Sequence, residues 1–158
     1  MAIECKRHMN HFSIFAHGVS FDVDAYLATS PLHFDHVWRR EQKLSRLPAG
    51  SKREPTSGAE LVLGDGAQLA FDEQQVIAAD FLSKHVEALR DLAKFPGVET
   101  FILALRFQME LEPSTVGFCV SFSSDLMRQA LEVGVEPVCY VVLDWDKQWA
   151  DKLLEYGL

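Results

Sequence analysis

The sequence predicts an α+β domain: one β-sheet with helices packed on it. Three observations carry this. Segments of alternating apolar and polar residues are interleaved with stretches whose apolar residues recur at spacings of three and four. Acidic or hydroxyl residues stand where those helical stretches begin, and glycine or proline stands where they end. Two portions of the chain, FSIFAHGVSFDVDAYLATSPLHFDHVW and GFCVSFSSDLMRQALEVGVEPVCYVVLDW, share one pattern of strand, short acid-capped helix, proline-led strand and closing tryptophan.

Residues 11–18, HFSIFAHG, alternate as a strand, with Phe12, Ile14 and Ala16 on one face and Phe15 on the other. Asp22 is placed to cap a short helix through Ala25, Tyr26 and Leu27, which Ser30-Pro31 ends. Residues 32–38 are expected to resume as a strand. Residues 39–57, with Pro48, Gly50 and Pro55 and no periodicity, form a long loop. Residues 60–71 surround Gly64-Asp65-Gly66 with two apolar runs, the pattern of a hairpin. Asp72 then caps the longest helix, with Gln75 as its capping-box partner and Ala78, Leu82, His85, Leu89 and Leu92 as one buried stripe. Phe95-Pro96-Gly97 stops it.

Residues 98–111 read as a long apolar strand, Pro113-Ser114-Thr115 as a turn, and residues 116–122 as a returning strand. Ser124 or Asp125 caps a helix carrying Leu126, Met127, Ala130 and Leu131, and Gly134 stands at its stop. Glu136-Pro137 opens the last strand, and residues 146–158 form a C-terminal helical tail with Trp149, Leu153 and Leu154 on one side. The two similar portions read as duplicated β-α-β units, and their pairing predicts a ferredoxin-like sheet within a single domain, 1–158.

The first β-α-β, the strand exit Trp38-Arg39-Arg40-Glu41 and the late FCVSFSSDLMRQALEVGVEPVCYVVLD resemble a family of small bacterial proteins, domain of unknown function 4279, over residues 12–144. After the arginines, Arg40-Glu41-Gln42 lacks the glycine of that family's pattern. The resemblance implies a fold and a bacterial origin; it implies no activity.

Charge narrows the function classes. The net charge of −8 repels phosphate backbones, so no nucleic acid is expected as a partner. No apolar run is long enough to cross a bilayer and the first residues lack a secretory layout, so no membrane association is expected and the compartment is the cytoplasm. Residues 39–57 carry six basic against two acidic residues, a net +4 that leaves −12 on the rest. Cys5, Cys119 and Cys139 cannot all pair within one chain and form no C-x-x-C, so they read as reduced thiols. Cys119 and Cys139 lie in apolar segments, as small buried hydrophobes do.

LHFDHVWRR, residues 32–40, brings His33 and His36 close in sequence, as a metal site would. Residues three apart on a strand point to opposite faces, so no metal is expected there. Five of the six histidines fall within the first 36 residues, among them His8, His11 and His17, and a cluster drawn from separate segments stays open as a zinc or pH-sensing site. His85, on the apolar stripe, reads as a hydrogen-bonded core residue, and Glu110-x-Glu112 and Asp144-x-Asp146 as solvated strand ends. No nucleophile elbow, phosphate loop or dinucleotide fingerprint occurs, and no cofactor is expected.

Tryptophan beside arginine is the composition of gripped protein partners, which makes Trp38, Arg39, Arg40 and Arg46 the candidate partner-binding residues. The expectation is a non-catalytic interaction protein, immunity-like or regulatory, acting as a monomer or homodimer. The alternative is a small-molecule or enzymatic site in which Arg39 or Arg40 binds an anion and a histidine acts on it.

Overall fold

The computed structural model describes residues 11–41, 55–64, 69–110 and 120–144. The alternating segment at the start forms β1 (His11–Gly18), and Asp22 caps α1 (Val23–Leu27) by accepting the Ala25 N–H at 3.0 Å. Next come β2 (His36–Trp38) and β3 (Ser57–Leu63). Two helices, α2 (Phe71–Lys84) and α3 (Val86–Lys94), lead to β4 (Thr100–Glu110), and α4 (Ser124–Val133) leads to β5 (Glu136–Asp144).

The strands form one mixed sheet of order β2-β3-β1-β4-β5. β1 runs antiparallel to both β3 and β4, β2 antiparallel to β3, and β5 parallel to β4. It follows that β1 and β2 run the same way with β3 between them, and β3 and β4 the same way with β1 between them. Strands of like direction need a crossover, and each helical connection supplies one. The fold is therefore α+β, as the sequence predicts, but its order of elements is not that of two successive β-α-β units.

Register assigns the faces. Phe12 sits between Leu63 and Leu105, Ile14 between Leu61 and Leu103, and Ala16 between Ala59 and Phe101. Against this face pack Ala78, Ala79 and Leu82 of α2, Leu89 of α3, and Leu126, Ala130 and Val133 of α4. Fully burying a leucine side chain contributes about 1.5–3 kcal/mol, so this layer dominates stability. A smaller cluster of Phe21, Val23, Tyr26 and Leu92 fixes α1 beside it. There Tyr26 meets Phe95 and Phe34 edge to face at 5.1 and 6.0 Å.

Burial raises the Tyr26 phenol above its ordinary value. A raised folded value means that the unfolded chain ionises first as pH climbs. The stabilisation is complete below about pH 10 and is lost as pH rises through the folded value. Tyr26→Phe is expected to keep the packing and to flatten the alkaline loss, measured as urea midpoints at neutral and alkaline pH.

Several boundaries differ from the sequence expectations. Among the described residues of 60–71 no second strand follows β3. β3 begins at Ser57 and finds its partners in β1 and β2, Gly64 closes it at φ +90°, and Phe71 opens α2, while residues 65–68 lie outside the described residues. The Glu73 carboxylate accepts the Ala70 N–H at 2.9 Å, and the N-cap is Ala70, two residues ahead of the expected Asp72. Gln75 has two partners: its Nε2 donates to Asp72 Oδ1 at 3.5 Å, and its Oε1 accepts the Ser123 N–H at 2.6 Å and ties α2 to the start of α4. The expected single long helix is broken at His85, whose backbone leaves helical angles (φ −117°, ψ 25°). Its ring lies half-buried on Phe81 at 4.4 Å rather than in the core.

α4 is capped by Ser123, not Ser124 or Asp125, with its Oγ accepting from Leu126 N–H, and Gly134 ends it in the left-handed region at φ +76°. Residues 120–123 are not strand, so the second expected unit lacks its first strand over the part described. Its remainder, the turn at Pro113, the tail 146–158, and Cys5, His8, Cys119, Glu112 and Asp146 lie outside the described residues. Cys139 is a free, partly buried thiol packed against the core, and burial pushes its pKa up. Among the described residues no helix is long and apolar enough to cross a membrane.

Candidate site at the β2 rim

β2 is three residues long, and pleating divides it. Val37, opposite Ala59, turns to the helix-covered face and packs on the smaller cluster, while His36 and Trp38, opposite Glu60 and Gly58, turn to the other face. Continuing the Trp38 row inward gives Gly58 and then His17. The Trp38 ring lies 6.5 Å from His17 and 6.4 Å from Phe15, centre to centre. A glycine makes this possible. A Cβ on residue 58 would stand 2.4 Å from Trp38 Cζ2 and 2.6 Å from His17 Cβ, so the indole occupies space that any side chain at 58 would need.

Arg39 leaves the strand and is gripped at two points by Asp24 of α1: Nε donates to Oδ2 at 2.8 Å and Nη2 to Oδ1 at 2.5 Å. The Arg39 hydrogen bond holds the Asp24 carboxyl below its ordinary range, and the same bond raises the guanidinium. Both side chains are exposed, so the fork orients the arginine while adding little to stability. Arg40 is half-buried, and its N–H donates to Ser57 Oγ at 3.0 Å, fastening the strand exit to the start of β3. Arg46 and residues 42–54 of the basic segment lie outside the described residues.

The strand expected at residues 32–38 begins only at His36. Asp35 ends the extension: its N–H donates to the Glu60 carbonyl at 2.9 Å, and its Oδ2 takes the Val62 N–H at 2.7 Å. His33 sits before this point, outside the sheet, and both His33 and His36 are exposed. The rise per residue places His11 and His17, at opposite ends of β1, about 20 Å apart. His17 and His36, two strands and two residues apart, are separated by about 12 Å. His11, His17 and His36 therefore spread along the sheet instead of converging. Among the described residues no three His, Cys, Asp or Glu side chains group as a metal site.

A cavity of about 340 Å³ lies at the other end of the sheet, lined by Ala93, Val98, Glu99, Thr100, Phe101, Gly134 and Glu136. None of the described candidate histidines or arginines lines it, although His17 pairs with Thr100 and its carbonyl accepts the Glu99 N–H at 3.0 Å. Four residues that build the rim were not among the sequence candidates: Asp24, Asp35, Gly58 and Ser57. Gly58 carried a weak signal, a glycine just before the strand-like run Ala59–Leu63, where two backbones or a large ring can come close. Asp24 and Asp35 carried none, because their partners are fixed by the sheet order.

Comparison of the chain with family models, with curated proteins and with solved structures finds no match in any of the three.

Proposed function

We propose that the chain is a non-catalytic interaction protein, of an immunity-like or regulatory kind, that holds a protein partner through Trp38, Arg39 and Arg40 at the β2 rim, together with Arg46 of the basic segment. The observation that supports it most is the seating of Trp38-Arg39. A tryptophan is wedged over Gly58, and a guanidinium is held in plane by Asp24 at the exit of a short edge strand. Tryptophan and arginine dominate the energetics of protein interfaces when their rotamers are fixed before binding. The acidic body, −12 apart from residues 39–57, would speed encounter with a partner that carries basic surface, and the arginines would then meet its carboxylates.

The likeness to domain of unknown function 4279, and the duplicated ferredoxin-like units, belong to the same reading. The crossovers β1–α1–β2 and β4–α4–β5 support the second, since each joins strands of one direction through a helix opened by an Asp or Ser cap. The small-molecule alternative has less behind it, because Arg39 is engaged by Asp24 and His17 stands about 12 Å from His36 and about 20 Å from His11.

Affinity capture from a lysate of the source organism tests the reading. The wild-type chain is expected to retain a discrete protein, and an Arg39→Gln/Arg40→Gln variant with unchanged circular dichroism is expected to lose it at least about tenfold, the loss of one charged contact. Equal recovery by both would overturn it.

A further inference from the structure

β3 is seven residues long, and its two edges are treated differently. Toward β1 it is paired throughout, from Ser57 to Leu63, whereas on the β2 side, among the described residues, only Gly58, Ala59 and Glu60 have strand partners. The rest of that edge, Leu61-Val62-Leu63, is apolar and β-branched at its centre, the composition on which a second strand most readily adds. The chain that could have covered it turns away at Asp35. That residue nevertheless reaches back, and its carboxylate takes the Val62 N–H at 2.7 Å, beside its own backbone bond to the Glu60 carbonyl.

We propose that Asp35 is an edge lock, which stops a second copy of this chain from pairing along residues 61–63 of β3. The chemistry fits that task better than it fits strand continuation. A carboxylate satisfies the donor of Val62 yet offers no donor of its own to an incoming strand. To displace it, the newcomer must supply an equal acceptor and leave an exposed aspartate, Asp35, stranded against its backbone carbonyls. The occupant excluded is a second copy, because the segment at risk is self-complementary: two antiparallel Leu-Val-Leu runs place like apolar residues on like faces. The proposal does not depend on the partner reading, since it concerns the sheet edge beyond Glu60 and not the exit at Trp38.

Sedimentation velocity over a wide concentration range, with amide hydrogen exchange read at Val62, tests it on wild type, Asp35→Ala and Asp35→Asn. Wild type is expected to show a protected Val62 amide that does not change with concentration. Asp35→Ala should expose that amide in dilute solution and protect it again as the chains associate, with self-association strengthened about tenfold, the scale of one hydrogen bond. Asp35→Asn keeps an acceptor and loses the charge, and is expected to fall between the two. The proposal is overturned if Asp35→Ala stays as monodisperse as wild type, or if its Val62 amide stays protected in dilute solution. Should Asp35→Ala fail to fold, an Asp35→Asn chain that associates no more than wild type overturns it.

Discussion

Gly58→Ala is expected to lower stability by about 2–3 kcal/mol and to unseat the Trp38 indole. The added methyl would meet Trp38 Cζ2 at 2.4 Å, His17 Cβ at 2.6 Å and the Ala16 carbonyl oxygen at 2.7 Å. One of these neighbours is backbone in the central strand and cannot yield, so the indole must move or β2 must peel from β3. β2 has only three residue pairs holding it. Urea denaturation measures the first consequence. Tryptophan emission measures the second, as a shift toward the wavelength of a hydrated indole; an alanine variant with wild-type stability and emission would remove Gly58 from this role. Because the same variant disturbs the rim, it should also weaken partner capture, in step with the emission change.

Gly97→Ala should cost about 2–4 kcal/mol, combining the left-handed backbone with a steric clash. Gly97 sits at φ +86°, and a Cβ there would lie 2.3 Å from the Ser20 carbonyl oxygen and 2.5 Å from its carbon. The turn after α3 must pass against the segment leaving β1, and the Glu99 N–H bond to the His17 carbonyl at 3.0 Å closes the contact. No rotamer relieves such a clash, since both sides are main chain. Thermal unfolding of Gly97→Ala beside Ala93→Gly, a nearby helical change worth about 1 kcal/mol, would separate this strain from ordinary propensity. Equal losses in the two would contradict it.

What could be read in advance follows the range of the interactions. β1, β4 and β5 were legible because alternation, or an uninterrupted apolar run, reports burial directly, and α1 and the C-terminal stop of α4 were legible because their signals are local. The displaced caps and the break at His85 are local matters; the larger failures are long-range. A hairpin at Gly64 is the cheapest local reading of two apolar runs, but β3 gains more by inserting between β1 and β2, which no neighbour in sequence announces. Gln75 suits a capping box, yet it is used to satisfy a donor 48 positions away. At the site, the residue types were legible and their states were not. Arg39 was identifiable as a contact residue, but its capture by Asp24 depends on α1 lying beside the exit of β2. The spread of the histidines follows from register, and register was the property least visible in the sequence.

Hydrogen exchange of the chain alone and with its captured partner tests most directly whether the β2 rim is the contact surface. Slowed exchange is expected across residues 36–41 on binding, strongest at the Trp38-Arg39 exit, with the helix layer of α2 and α4 unchanged. Protection confined to the helices, or a bound partner that leaves residues 36–41 exchanging as in the free chain, would contradict the account.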